Sequence, residues 1–367
     1  MNIKRILSAL ESRLARHRKA AAGAAGALAL LLILFFPLNL FSGTTVLVLV
    51  REDTTPETFA RSLEKERVAA PSFLLEAAYS LARTGGVQPS SGYYALTGTD
   101  SLATFALKLR RSNLSQGIFR IPEGAPIWAV RALLEKNSLT TRDFTAEPDS
   151  TAAEALSEKY PELRDVIARA GEEQASRLQG SQGFSLEGLL APDTYFYQQG
   201  KSDLVIAALA MRHQQKVLAS EWAGRDTVAS SMIRTPYEAL VLASLIEKET
   251  GVKTDRALVS SVFHNRLRKG MPLQTDPSVI YGLGPGFKGP LTKADLRRDT
   301  PWNTYTRRGL PPTPIAAPSR LAIHAALHPA DTRYLYFVSR GDGTSQFSET
   351  LGAHNSAVDE FIRKRKN

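Results

Sequence analysis

The chain has no cysteine among its 367 residues. That excludes disulfides, a thiol nucleophile and Cys-ligated zinc or iron–sulfur sites. Short strings that announce common chemistries are also missing or incomplete. There is no G-x-S-x-G. Ser62-Leu-Glu-Lys65 spells S-x-x-K, but no S-D-N or K-T-G partner accompanies it. Gly284-Pro-Gly286-Phe-Lys-Gly289 fits G-x-G-x-x-G, yet it contains Pro285 and runs into Pro290, so it reads as a turn cluster rather than the start of a βαβ helix. His324 and His328 are four residues apart, the spacing of H-E-x-x-H, but Ala325 stands where the Glu belongs. A packed pair on a short helix before Pro329 is the expectation, with no metal. No internal repeat is visible.

The body of the chain has little excess of charge of either sign. The net charge is +10, and six basic residues (Lys4, Arg5, Arg13, Arg16, Arg18 and Lys19) against Glu11 place +5 of it in the first 20 residues. The remaining +5 is too dilute to argue for nucleic acid. With 43% hydrophobic and 22% charged residues the chain is folded rather than mainly disordered, and its length suits about two domains.

Charged side chains are also missing from Ala20 to Val50. As a helix, Ala20–Phe41 would span roughly 33 Å, enough for a bilayer core of about 30 Å. The run is long for a signal peptide and no small-x-small cleavage site follows it. The expectation is a single-pass anchor at 20–41 behind a cytoplasmic basic tail at 1–19, with the rest outside the cytoplasmic membrane.

The exported part reads as α+β. Thr45–Val50 has the β-branched pattern of a buried strand. Thr55 and Pro56 open a helix carrying Phe59, Leu63 and Val68, and a second helix over Ser72–Arg83 stops at Gly85-Gly86. Ser91–Leu96 and Gly117–Ile121 read as strands flanking a helix over Ser101–Leu109, which makes 44–118 a small α+β module and 119–367 a larger domain. Residues 126–180 are mostly helical, 186–197 turn-rich, and 203–222 and 236–250 helical. The segment 271–320 is rich in Pro and Gly, but its aromatic residues favour order. Tyr334–Ser339 reads as a closing strand, followed by a basic terminal helix.

The most informative acids lie in Tyr237–Gly251, YEALVLASLIEKETG, which is apolar up to Ile246 and then holds Glu247, Lys248 and Glu249. Gly251 is expected to stop the helix. A carboxylic acid at the end of a buried helix is desolvated, which raises its pKa and keeps it protonated for general-acid work. Glu247 shares a stripe with Leu240, Ala243 and Ser244, and Glu249 one with Leu242, Leu245 and Ile246, so periodicity does not choose between them. A plain helix-end ion pair with Lys248 or Lys253 is the alternative.

Six segments, in order, resemble the YceG-like family of lytic transglycosylases. They are IPEG (121–124), LEGLLAPDTY (186–195), LASLIEKETG (242–251), VFHNRLRKGMPLQTDPSVIYG (262–282), NTYTRRGLPPTPIAAPS (303–319) and HPADTRYLYFV (328–338). The chain departs from the family at Leu190-Ala191, before the PDTY element. The resemblance implies a LysM-like subdomain at 44–118 that holds glycan and a catalytic domain at 119–367. It implies cleavage of the β-1,4 bond between N-acetylmuramic acid and N-acetylglucosamine within nascent peptidoglycan strands, leaving 1,6-anhydromuramoyl ends and terminating elongation. It places the catalytic acid on Glu247, the first acid of the EKET string, with Glu249 in reserve. Gln274, Asp276, Asn303 and Tyr305 fall in matching polar loops as sugar-binding candidates, Trp302 as a stacking platform, and Glu187 as an orienting or helix-capping residue. One acid suffices when the substrate's own 6-hydroxyl is the nucleophile, so neither metal nor organic cofactor is implied. The family further implies contact with peptidoglycan synthases. The alternatives are a non-catalytic glycan-binding scaffold of the wall-synthesis machinery and a peptidoglycan hydrolase that uses water.

Overall fold

The computed structural model describes residues 45–363 apart from 67, 69 and 179–182, together with a few positions between 22 and 35. The expected basic tail and most of the expected anchor lie outside the described residues. Among the described residues no helix is long and apolar enough to cross a membrane. The chain divides into two compact units: the described part of Met1–Gly117 with Gln198–Lys201, and Ile118–Tyr197 with Ser202–Asn367.

In the first unit, β1 (Val46–Val50) pairs antiparallel with β2 (Gly92–Leu96) in the register Val46↔Leu96 to Val50↔Gly92. Alternate residues of both strands are buried, as a one-sided pair requires. Between them run α1 (Pro56–Lys65) and α2 (Ser72–Ala82), and α3 (Leu102–Arg110) follows. Thr55 and Ser101 cap α1 and α3 through reciprocal bonds with Thr58 and Thr104. Phe59 is the hub of the core, with ring centroids 4.8 Å from Tyr79 and 6.0 Å from Phe105.

The strand expected at Gly117–Ile121 exists as β3 (Gln116–Arg120), but its partner is β4 (Thr194–Gln198) rather than the strands of the small module. The next elements are α4 (Ile127–Glu135), α5 (Asp149–Lys159), α6 (Arg164–Arg177) and α7 (Leu204–Ala223).

The centre of the second unit is α8 (Pro236–Glu249), whose residues from Ala239 to Ile246 are all buried. Thr235 caps it by accepting from the Glu238 N–H at 3.2 Å, with Pro236 in the first turn. Around it pack α7, α9 (Arg256–Arg268), α10 (Asp276–Leu283) and, most extensively, α12 (Arg320–Leu327). Both helices of the most extensive pair carry buried small residues, Ala239 and Ala243 on α8 and Ala322, Ala325 and Ala326 on α12. The end of α8 differs from expectation. Thr250 turns extended at φ −144°, and Gly251 is not among the glycines at positive φ. The loop 271–320 is ordered, contains α10 and the short α11 (Lys293–Arg297), and is stitched to α8 where the Ile315 N–H donates to Ser244 Oγ at 3.0 Å. The chain closes with β5 (Tyr336–Ser339) paired antiparallel to β6 (Ser345–Ser348), a strand not anticipated from sequence, and α13 (Leu351–Val358).

Candidate active site

The two acids at the end of α8 have different surroundings. Glu247 is locked. Its side chain is 5% exposed; Oε1 accepts from Arg256 Nη2 at 3.0 Å, and Oε2 accepts from both the N–H and the hydroxyl of Ser319. Arg256, itself 6% exposed, also donates to Ser319 Oγ. Ser319 in turn caps α12. Both oxygens of the Glu247 carboxyl are thus committed, one to a guanidinium and the other to two further donors. The network ties α8, α9 and α12 together.

Glu249 lines a groove of about 380 Å³ with Arg266, Leu273, Gln274, Asp276, Tyr305, Tyr336, Phe337, Leu351 and His354. Burial, reinforced by the Asp276 carboxylate, pushes its pKa up to about 7, although Thr275 and Arg266 pull in the opposite direction. The chain therefore holds a carboxylic acid that keeps its proton close to neutral pH, beside an opening that a ligand can enter.

Hydrogen bonds build that groove from two distant loops. The Gln274 N–H donates to Thr304 O at 3.0 Å, the Thr275 N–H to Thr304 Oγ1 at 2.9 Å, and Ser278 Oγ lies 2.9 Å from the same hydroxyl. Tyr305 OH donates to Asp276 Oδ1 at 2.6 Å. From α9, the buried Arg266 donates through Nη1 to Pro272 O, Leu273 O and Gln274 Oε1, and through Nε to Leu335 O at 2.7 Å. Gln274 sits at φ +53°, one of two non-glycine residues at positive φ among the described residues. A left-handed side chain of this kind is held only where its surroundings fix it.

Of the residues singled out from sequence, the structure brings Glu249, Gln274, Asp276 and Tyr305 into one groove. Three others lie outside the groove lining. Asn303 is fully buried, donates through Nδ2 to Leu296 O and Arg298 O, and accepts from the Tyr305 and Thr306 N–H groups. Its hydrogen-bonding capacity is spent on the loop, so it builds the site rather than meeting sugar. Trp302 donates to Thr313 Oγ1 at 2.8 Å and packs edge-on to Tyr281 at 5.4 Å, with Trp128 on Tyr281 at 4.8 Å. It backs the loop and is absent from the groove lining. Glu187 is 1% exposed and accepts from the Ile127 N–H, the first of α4, at 2.8 Å. It is the helix cap, and burial raises its pKa to about 8. Arg266, Thr275, Tyr336 and His354 were missed. Arg266, Thr275 and Tyr336 lie inside quoted segments, but nothing in their spacing marks them.

Residues 48–360 match the YceG-like family, and the chain belongs to that family. A Bacillus subtilis (strain 168) protein named endolytic murein transglycosylase is 30% identical over 337 residues, covering 90% of this chain and 88% of its own. A Streptococcus pneumoniae protein of the same name is 27% identical over 295 residues, which is 76% of this chain, and the chain spans only 51% of that longer relative. The crystal structure of a putative YceG-like protein from Listeria monocytogenes aligns with a TM-score of 0.54 at 26% identity, covering 85% of this chain and 98% of that one.

Proposed function

We propose that the protein is an endolytic murein transglycosylase, a lytic enzyme of peptidoglycan, and that Glu249 rather than Glu247 is its acid. The observation that carries this reading is the proton-holding carboxyl of Glu249 in a groove to which the segments 271–282 and 303–319 contribute Gln274, Asp276 and Tyr305. Glu249 protonates the glycosidic oxygen as the bond to the anomeric carbon of N-acetylmuramic acid breaks. The 6-hydroxyl of the same sugar attacks that carbon and surrenders its proton to Glu249, which returns to its starting state. No water is consumed. Because the nucleophile is part of the substrate, effective concentration replaces the second carboxylate that a hydrolase needs. Gln274 and Tyr305 supply hydrogen bonds to sugar hydroxyls or N-acetyl groups, and Arg266 and Asn303 hold the loops that present them.

In this reading the first unit, with its β-α-α-β order and antiparallel pair, is a LysM-like module that holds the strand. The apolar run at 20–41 anchors the chain in the cytoplasmic membrane with both units outside, where new strands emerge beside the synthases and tethering raises local concentration. Mass spectrometry of digested glycan strands tests the function: 1,6-anhydromuramoyl ends are expected. Reducing ends would instead assign a hydrolase, with Asp276, the other carboxylate of the groove, activating water. No cleavage at all would reduce the protein to a glycan-binding scaffold.

A further inference from the structure

The pair His324 and His328 acquires a third member in the fold. Glu221, in the last turn of α7, is 103 residues upstream of His324, and its carboxylate is 8% exposed. His324 Nδ1 lies 2.8 Å from Glu221 Oε2, and the two imidazoles stack with centroids 4.3 Å apart and planes 22° apart. One ligand atom from each of Glu221, His324 and His328 falls within 4.8 Å of the others. The remaining contact is Arg320, whose Nε donates to Glu221 Oε1 at 2.7 Å and whose side chain is 69% exposed.

We infer that Glu221, His324 and His328 form a binding site for a borderline divalent transition metal, zinc above all. Two imidazoles and one carboxylate with no thiol suit zinc, cobalt, nickel or copper, whereas magnesium and calcium prefer all-oxygen sets. Nitrogen and oxygen ligands about 2.0–2.1 Å from a tetrahedral zinc stand roughly 3.3 Å apart, so the three atoms need to close by about 1.5 Å. That closure falls to the two rings, one of them on the 55%-exposed side chain of His324. The charge balance favours the metal as well. Without it, the buried carboxylate accepts from the exposed Arg320 and lies against His324 Nδ1. With it, the cation meets the carboxylate directly, both imidazoles bind as neutral ligands and the exposed Arg320 swings into solvent. Three protein ligands leave one position for water or another donor. The bound ion would tie α7 to α12, the helix whose capping residue Ser319 grips Glu247. The inference stands apart from the glycan chemistry.

The test uses the full chain in detergent, stripped of metal with a chelator. Titration with zinc chloride in a calorimeter should give saturable binding of one equivalent, and cobalt(II) should develop the intense visible absorption of a low-coordinate site. His324→Gln and His328→Gln should each weaken zinc at least tenfold, and His213→Gln should leave it unchanged. Zinc should raise the melting temperature of the parent and of His213→Gln but not of His328→Gln. Magnesium chloride should do none of this. If Glu221→Gln fails to fold, the two histidine variants still decide the matter, since one ring is exposed and the other only partly buried. Equal zinc affinity in the His324→Gln/His328→Gln double variant, or no saturable binding by the parent, overturns the inference.

Discussion

Replacing Glu249 by Gln removes a proton donor while keeping the shape and neutrality of the side chain. A positioned general acid contributes about 10²–10⁴ in rate, or roughly 3–5 kcal/mol of barrier, and that is the expected loss in kcat/KM. Folding should hardly notice. Glu249 is already neutral below about pH 7, and a neutral near-isostere in its place should shift stability by no more than about 1 kcal/mol. Glu247→Gln has the opposite signature. It leaves the guanidinium of Arg256, 6% exposed, without its counter-charge. Breaking one side of a buried pair costs about 3–5 kcal/mol, which for a domain of this size lowers the melting temperature by roughly 6–20 °C. The assay pairs the rate of anhydro-end formation, normalised to folded protein at a pH below 7, with calorimetric melting of both variants. Full turnover by Glu249→Gln, together with a well-folded but inactive Glu247→Gln, refutes the assignment and returns the acid to Glu247.

Three further outcomes follow from the geometry. Because Glu249 must carry its proton and loses it near pH 7, kcat/KM should fall as pH rises through about 7, close to tenfold per unit beyond it; a rate still rising at pH 9 contradicts the role. Glu187 is held at about 8 in the folded chain against 4.5 for its ordinary value. The native state therefore binds that proton more tightly than the unfolded state does. The associated stability is full below pH 4.5 and is lost as pH rises to about 8, on the order of 4 kcal/mol for a group this buried. Denaturant midpoints from pH 5 to 9 should slope downward, and Glu187→Gln should flatten that slope; an unchanged slope removes Glu187 as the cause. Gly188 sits at φ +74°, and a Cβ there would meet Pro314 Cβ and Cγ at 2.5 Å. Gly188→Ala should cost roughly 2–5 kcal/mol by strain and overlap, read from the urea midpoint.

Much of the fold was legible because it rests on local rules. Thr55 with Pro56 announces a helix start through short-range capping, and Thr55 caps that helix in the structure. The alternating burial of Val46–Val50 and Gly92–Leu96 needs only a period of two. What failed depended on partners far along the chain. GIFRI looked like part of the small module, but its hydrogen bonds go to Thr194–Gln198, a stretch whose Pro and Gly neighbours read as turns. Gly251 looked like a helix stop, yet Thr250 ends the helix by going extended, so the glycine is not required.

The sequence by itself determined the family, the helix that bears two acids, and the loops that bear Gln274, Asp276 and Tyr305, because motif order, apolar periodicity and capping are properties of neighbours in the chain. Only the tertiary structure separated Glu247 from Glu249. Two residues apart on a helix, they point to different faces, and what each face meets is set by Arg256 and Ser319 in one case and by a groove in the other. The same holds for Glu221, which joins His324 and His328 only after α7 and α12 pack side by side. The electrostatic state of a carboxyl depends on which charges and donors lie within a few ångströms of it, and those distances come into being only when the chain folds.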